Sequence, residues 1–257
     1  MNKAFTLLAA LSFSSMAAAG DPVVDKILDC MRANVPETTQ IKEVQLTARD
    51  RGGGERTLKG RLFGMKENGK VRVMVRIEAP PDLARAAYLV REGDKADEMY
   101  VYVPSLNKVR RITGASVDGS LWGTDLSYND IKQLQNAFAG GSIKAEGVQQ
   151  IENRPVTVLY FTPRAQDQTR YSAVRSYVDQ QSCVPLKVEF IEGKDVRKRM
   201  TVAAKDIKQG GKHWYAQEAQ MVDVKDNTQT WVKILGVTND AQLANRFFNA
   251  STFYIGG

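Results

Sequence analysis

Histidine is all but missing from this sequence: His213 is the single one. Metal centres and Ser-His or Cys-His nucleophilic machinery draw on that residue type, so no metal site is expected and no catalysis of this kind unless His213 itself serves. It stands in Gly210-Gly211-Lys212-His213-Trp214, which reads as a hairpin turn with the histidine at its edge. A phosphate-binding loop and a dinucleotide fingerprint are missing too. Gly52-Gly53-Gly54 joins two amphipathic strands, not a strand and a helix. No low-complexity stretch, internal repeat or long linker breaks the chain, and no cofactor is called for. Cysteine is scarce, with Cys30 and Cys183 alone, and no apolar run reaches the ~20 residues that cross a bilayer.

What the N-terminus does have is an export signal. Met1-Asn2-Lys3 supplies one positive charge, Ala4 to Phe13 is almost wholly apolar, and Ser14 to Ala19 ends in small residues. That is the pattern of a cleavable signal peptide over residues 1–19; an uncleaved anchor is the alternative, and the apolar run is short for it. No cysteine follows the cleavage point, so lipidation there is not expected. Residues 20–257 are expected to form one soluble periplasmic domain, a monomer. Losing Lys3 lowers the formal charge from +7 to +6. A mild positive excess fits anionic envelope surfaces or acidic partners, and export makes nucleic acid an improbable partner. In an oxidising compartment Cys30 and Cys183 read as one disulfide, with two buried thiols as the alternative.

Asp21-Pro22 opens a helix, Asp as N-cap and Pro in the first turn, and Val23, Val24, Ile27, Leu28 and Met31 follow at helical spacing. From Ile41 the period changes to two. In Lys70 to Glu78, Val71, Val73, Val75 and Ile77 point one way and Arg72, Met74 and Arg76 the other. Short runs of this kind, separated by turn residues, predict an antiparallel meander of about eleven strands, including Arg197 to Ile207 and Trp214 to Lys225 as single strands. Ser116 to Gly141 interrupts it. There Ser127-Tyr128-Asn129-Asp130 resembles a capping box with Asp in place of Glu, and Ile131, Leu134 and Phe138 lie on one helical stripe. Several strands carry bulky residues on both faces, as at Met99 to Val103 and Val158 to Phe161. Each face must therefore be covered, as in a strongly curved sheet wrapped around helices, an α+β, mainly β architecture with room for a cavity.

Asp125 and Asp130 are the acidic pair to weigh as acid and base, against loop fixing by Asp125 and helix capping by Asp130. Lys108, Arg110 and Arg111, with Arg85, Arg91 and Arg197-Lys198-Arg199, form a candidate basic patch for lipid headgroups or a partner, against the plain reading of a solvated strand face.

Three stretches carry a resemblance. Met99-Tyr100-Val101-Tyr102-Val103-Pro104 through Lys108-Val109-Arg110-Arg111-Ile112 resembles a "YLPxxxxVRRI" strand pair. Gly119 to Ile131, with Gly123-Thr124-Asp125, Tyr128 and Asp130, resembles a "GTDxSYxDL" loop and helix. Tyr177-Val178-Asp179 through Pro185 to Phe190 resembles a later strand preceding a basic hairpin. Together they resemble the bacterial outer-membrane lipoprotein-sorting family, the LolA-like group. The resemblance implies an unclosed barrel, a curved antiparallel sheet with helices plugging its concave face. It implies a non-enzymatic periplasmic carrier of acyl chains of lipids or lipidated proteins, bound for the outer membrane and associated with an inner-membrane exporter of the resistance-nodulation-division type. The alternative is a lipid-responsive regulatory or envelope-assembly module that binds a protein partner. On the carrier reading the cavity candidates are Met74, Tyr100, Tyr102, Leu121, Trp122, Leu159, Phe161 and Trp231, with Ile131, Leu134 and Phe138 on the plugging helix.

Overall fold

The computed structural model describes residues 21–94, 96–134, 141–243 and 245–255; the expected leader and Phe138 lie outside them. The described residues begin with α1 (Pro22–Ala33). Six strands follow, β1 (Thr39–Arg49), β2 (Glu55–Glu67), β3 (Lys70–Ala79), β4 (Ala87–Arg91), β5 (Glu98–Val103) and β6 (Lys108–Arg111). After α2 (Tyr128–Leu134) come β7 (Ser142–Ile151), β8 (Arg154–Thr162), β9 (Ala173–Asp179), β10 (Pro185–Glu192) and β11 (Asp195–Thr201). The last strands are β12 (Ile207–Gly210), β13 (His213–Ala216), β14 (Glu218–Asp223) and β15 (Thr228–Asp240).

Thirteen strands make one sheet in the order β6-β5-β4-β3-β2-β1-β15-β14-β11-β10-β9-β8-β7, and β12 and β13 form a separate hairpin. Two meanders, β1 to β6 and β7 to β15, are thus zipped together where β1 pairs with β15. Consecutive strands β6 and β7 end up at opposite edges. The segment between them must cross from edge to edge, and it carries α2. The sheet is curved and unclosed, as expected, but richer than the expected eleven strands. Arg197 to Ile207 and Trp214 to Lys225 each hold two strands, because the chain leaves the sheet after β11 through a 3-10 turn at Ala204–Asp206 and returns only at β14.

Alternation on β3 follows the sequence pattern. Val71, Val73, Val75 and Ile77 are buried on the face that also receives the α2 segment, which is the concave one; Arg72, Met74 and Arg76 take the other. Among the described residues, two pieces of chain cover the concave face beyond α2. One is α1, capped by Asp21 accepting from the Val23 amide at 2.9 Å. Its Val24, Ile27 and Met31 pack on Leu159, Val178 and Cys183. The Cys30–Cys183 disulfide, with Cα atoms 5.8 Å apart, staples it there. The other is the β12–β13 hairpin, docked on the end of α1: the Trp214 amide donates to Asn34 Oδ1 at 2.9 Å, and His213 Nδ1 lies 3.0 Å from the Ala33 carbonyl. On the convex face the C-terminal segment seals Phe63, Met74, Leu89 and Tyr102 with Phe247, Phe248 and Phe253. Tyr254 stacks on Tyr102 with ring centroids 4.2 Å apart.

Replacing Cys30 and Cys183 together by serine is expected to lower the free energy of unfolding, by at most about 5 kcal/mol on the chain-entropy account. Urea denaturation checks this; a midpoint equal to that of the oxidised wild type would show that the staple contributes nothing.

Candidate functional site

The crossing segment is built from short-range hydrogen bonds. Trp122 and Gly123 take left-handed backbone conformations, φ 55° and 78°. The turn closes with the Leu121 amide donating to the Leu126 carbonyl at 2.7 Å and Thr124 Oγ1 to the Leu121 carbonyl at 2.8 Å. Ser127 then caps α2 reciprocally. Its Oγ accepts from the Asp130 amide at 3.0 Å, and Asp130 Oδ2 accepts from the Ser127 amide at 2.8 Å. This is the capping box read from the sequence, with Asp serving in place of Glu.

Asp130 does more than cap. It is fully buried, Lys198 Nζ on β11 reaches its Oδ2 at 2.9 Å, and the Tyr171 hydroxyl donates to its Oδ1 at 3.0 Å. Burial, with Asp130 beside it, pushes the Tyr171 phenol far above its ordinary range, so it stays a donor. Lys198 also donates to the Asp125 carbonyl at 2.7 Å. The Asp125 carboxylate accepts from Thr228 and from Thr230, the latter at 2.7 Å. On the other side of α2, Lys132 pairs with Asp97 at 2.8 Å, both side chains buried. Both carboxylates of the acid–base candidate pair are therefore engaged in holding the crossing segment to the sheet.

Beneath that segment lies a cavity of about 220 Å³. Its walls are largely aliphatic: Val44 and Leu46 from β1, Leu62 and Val75 from β2 and β3, Met200 from β11, and Val232 and Ile234 from β15. Leu121, Leu126, Ile131 and Leu134 roof it. Val35 and Pro36 after α1, Val184 and Pro185 beside the disulfide, and Trp214, Tyr215 and Ala216 of the hairpin complete the rim. Polar lining residues are few, Asn34 after α1 and Gln40 and Lys42 on one face of β1. Lys42 is half-buried with its ammonium 5.2 Å from the centre of the Tyr215 ring. Burial pushes it down to about 8.

Of the expected cavity residues, Leu121, Ile131 and Leu134 line this space. Trp122 packs beside it on Val71, Val73 and Val75. Leu159 lies under α1 and Phe161 within the main core. Met74, Tyr100 and Tyr102 are on the opposite face, among the C-terminal aromatics. Trp231 also faces away from Val232 and Ile234, under the Arg49 guanidinium at 4.8 Å. The basic patch is dispersed as well. Arg197 pairs with Asp223 at 2.7 Å and with Asp226, Lys198 is buried against Asp130, and Arg199 and Arg91 pair with Glu189 and Glu98. Arg85 is exposed on the turn before β4. Lys108, Arg110 and Arg111 are exposed on edge strand β6, where alternation sends Arg110 and Arg111 to opposite faces. Such charges guard an edge against pairing with other chains.

The family model that matches, described as "Uncharacterized protein", covers residues 69–253. No curated protein matches the chain. Among solved structures it is similar to a domain assigned to outer membrane lipoprotein-sorting proteins from Vibrio parahaemolyticus, at 20% identity and TM-score 0.79, over 89% of this chain and 97% of that one. A DUF1329 family protein from Desulfovibrio piger gives the same identity and TM-score over 90% and 98%. A LolA superfamily protein from Nitrosomonas europaea gives 17% and 0.68 over 88% and 96%. At such identities the likeness is one of fold. No helix among the described residues is long and apolar enough to cross a membrane.

Asp130→Ala is expected to cost about 3–5 kcal/mol, since it strands a buried Lys198 ammonium; a chemical-denaturation loss below 1 kcal/mol would contradict the anchoring role assigned to it. Lys42→Met is expected to stabilise the protein at pH 7, by ~1–3 kcal/mol, because folding holds the ammonium below its ordinary 10.5. The unfolded chain binds the extra proton between about 8 and 10.5, so wild-type stability rises with pH across that window and the advantage of the variant shrinks. Melting curves of both proteins at several pH values read the difference directly.

Proposed function

We propose, on the premise that the chain belongs to the family matched over residues 69–253 and has the fold of the LolA superfamily, that it is a periplasmic carrier of acyl chains. In this reading the leader at 1–19 delivers it across the inner membrane. The mature protein then takes up the acyl part of a lipid or lipidated protein, holds it in the concave-face cavity, and releases it toward the outer membrane. An inner-membrane exporter of the resistance-nodulation-division type is the proposed source of cargo.

The observation that carries the reading is the cavity itself: an aliphatic space between the concave face, the crossing segment and the β12–β13 hairpin. Burying one CH₂ is worth ~0.8 kcal/mol, so a chain of about fourteen gains at most about 11 kcal/mol. A bilayer offers a similar gain, and a carrier must match it closely enough both to load and to unload. Adaptable Met200 and a wall that is not part of the main sheet suit that balance. At about 220 Å³ the space is below the ~300–1,000 Å³ usual for small-molecule sites, so loading requires the hairpin wall to give. That wall is joined to α1 through His213 and Asn34 at 3.0 and 2.9 Å. The anchored carboxylates of Asp125 and Asp130 leave hydrolysis without an evident acid–base pair.

Ala216→Trp places a large ring in the cavity from a strand outside the main sheet. It is expected to abolish binding of the neutral apolar probe N-phenylnaphthylamine, while Trp231→Ala on the opposite face leaves binding intact. Fluorescence titration measures both, and equal affinities for the wild type and Ala216→Trp would place the apolar site elsewhere.

A further inference from the structure

The cavity has a direction. Along β1 its inward residues run Gln40, Lys42, Val44, Leu46, so polarity falls from one end to the other. At a rise of ~3.3 Å per residue the ammonium-bearing residue and Leu46 stand roughly 13 Å apart along the strand. At the far end Leu46 pairs with Val232, and both line the cavity. At the polar end the cation is without a carboxylate partner among the described residues. Other inward or buried lysines have one: Lys66 pairs with Glu37 at 3.1 Å, Lys132 with Asp97 at 2.8 Å and Lys198 with Asp130 at 2.9 Å. Lys42 instead has the Tyr215 ring at 5.2 Å, a contact that favours a cation but satisfies none of its three N–H donors.

We propose that the cavity takes a single-chain amphiphile with an acidic oxygen headgroup, a carboxylate or phosphate, for which Lys42 is the counter-ion; this rests on the carrier reading and specifies its cargo. A half-buried ammonium is costly to leave unpaired, and an anionic oxygen beside it repays that cost through a charge-assisted hydrogen bond. Asn34 and Gln40 also line the cavity, but their amides are bonded within the protein, to Ser182 and Trp214 and to Asn239, which leaves Lys42 to meet the headgroup. A neutral headgroup cannot make the ionic part of this contact. The downward push on the Lys42 ammonium still leaves it protonated at pH 7, ready for an anion. The cavity volume of about 220 Å³ argues for one chain rather than two.

The test displaces N-phenylnaphthylamine from delipidated protein with dodecanoic acid, dodecyl phosphate and dodecanol, for wild type, Lys42→Met and Lys42→Arg, with circular dichroism confirming that each is folded. Wild type is expected to bind the acid and the phosphate at least on the order of tenfold more tightly than the alcohol. In Lys42→Met the preference for the acid and the phosphate over the alcohol should be lost, and Lys42→Arg should keep it. Whichever of the two acids binds more tightly identifies the headgroup. Equal binding of acids and alcohol by wild type, or a preference that survives Lys42→Met, overturns the headgroup assignment and leaves the cavity reading standing. Failure of the probe and all three amphiphiles to bind overturns both.

Discussion

At the centre of the molecule a carboxylate out of reach of water, that of Asp130, receives Lys198, Tyr171 and the Ser127 amide at once. A sheet of thirteen strands that does not close has two free edges and a concave face that nothing in its own ladder covers. The chain covers it by running the β6-to-β7 connection across the opening. The described part of that connection carries its own turn and cap hydrogen bonds around Leu121, Thr124 and Ser127. Ion pairs on both sides of α2, Asp130–Lys198 toward β11 and Lys132–Asp97 toward β5, hold it to the two halves of the sheet. Removing one partner of such a pair costs far more than the pair contributes relative to apolar packing, so the role of these groups is to fix position. Both pairs sit on α2, beside Leu121, Leu126 and Ile131, which roof the cavity.

The two faces of the sheet are closed by different means. On the convex side of β2 to β5, the C-terminal segment lays Phe247, Phe248, Phe253 and Tyr254 onto Phe63, Met74 and Tyr102, with rings in contact. That is a packed core. On the concave side the cover is assembled from separate parts, α1, the crossing segment and the β12–β13 hairpin, and space remains between them. The disulfide fixes the α1 part, while the hairpin is held by polar contacts to the end of that helix and by Ile207 and Ala216 packed on the main core.

Much of this could be read from residues alone. Asp21-Pro22 and Ser127-x-x-Asp130 announced their helix starts through specific side chain to backbone bonds, and the structure makes them. The period-two rows on β3 gave the right partition of Val71, Val73, Val75 and Ile77 against Arg72, Met74 and Arg76. Pairing of Cys30 with Cys183 followed from compartment chemistry rather than from geometry. The harder question was which face is hollow. Bulky aromatics at Tyr100 and Tyr102 read as cavity lining, yet cross-strand register sets them with Leu89, Ala87 and Met74, on the side the C-terminal aromatics cover. The available signal was the valine row itself, since the residues opposite it could not share its face. Trp214, Tyr215 and Lys42 were overlooked for another reason: the first two sit beside a turn, and Lys42 precedes the first clean alternation of β1. Only the long-range contact between hairpin, α1 and β1 makes them one site.

Whether the concave-face cavity holds an acyl chain in the cell decides the carrier reading. Native mass spectrometry of the chain expressed with its leader and purified from the periplasm without detergent tests it most directly. The account predicts a polypeptide beginning at Gly20 that carries one dissociable adduct with the mass of a single acyl-chain amphiphile, absent from Ala216→Trp prepared in parallel. A bare polypeptide, or an adduct equally abundant on both proteins, would contradict it.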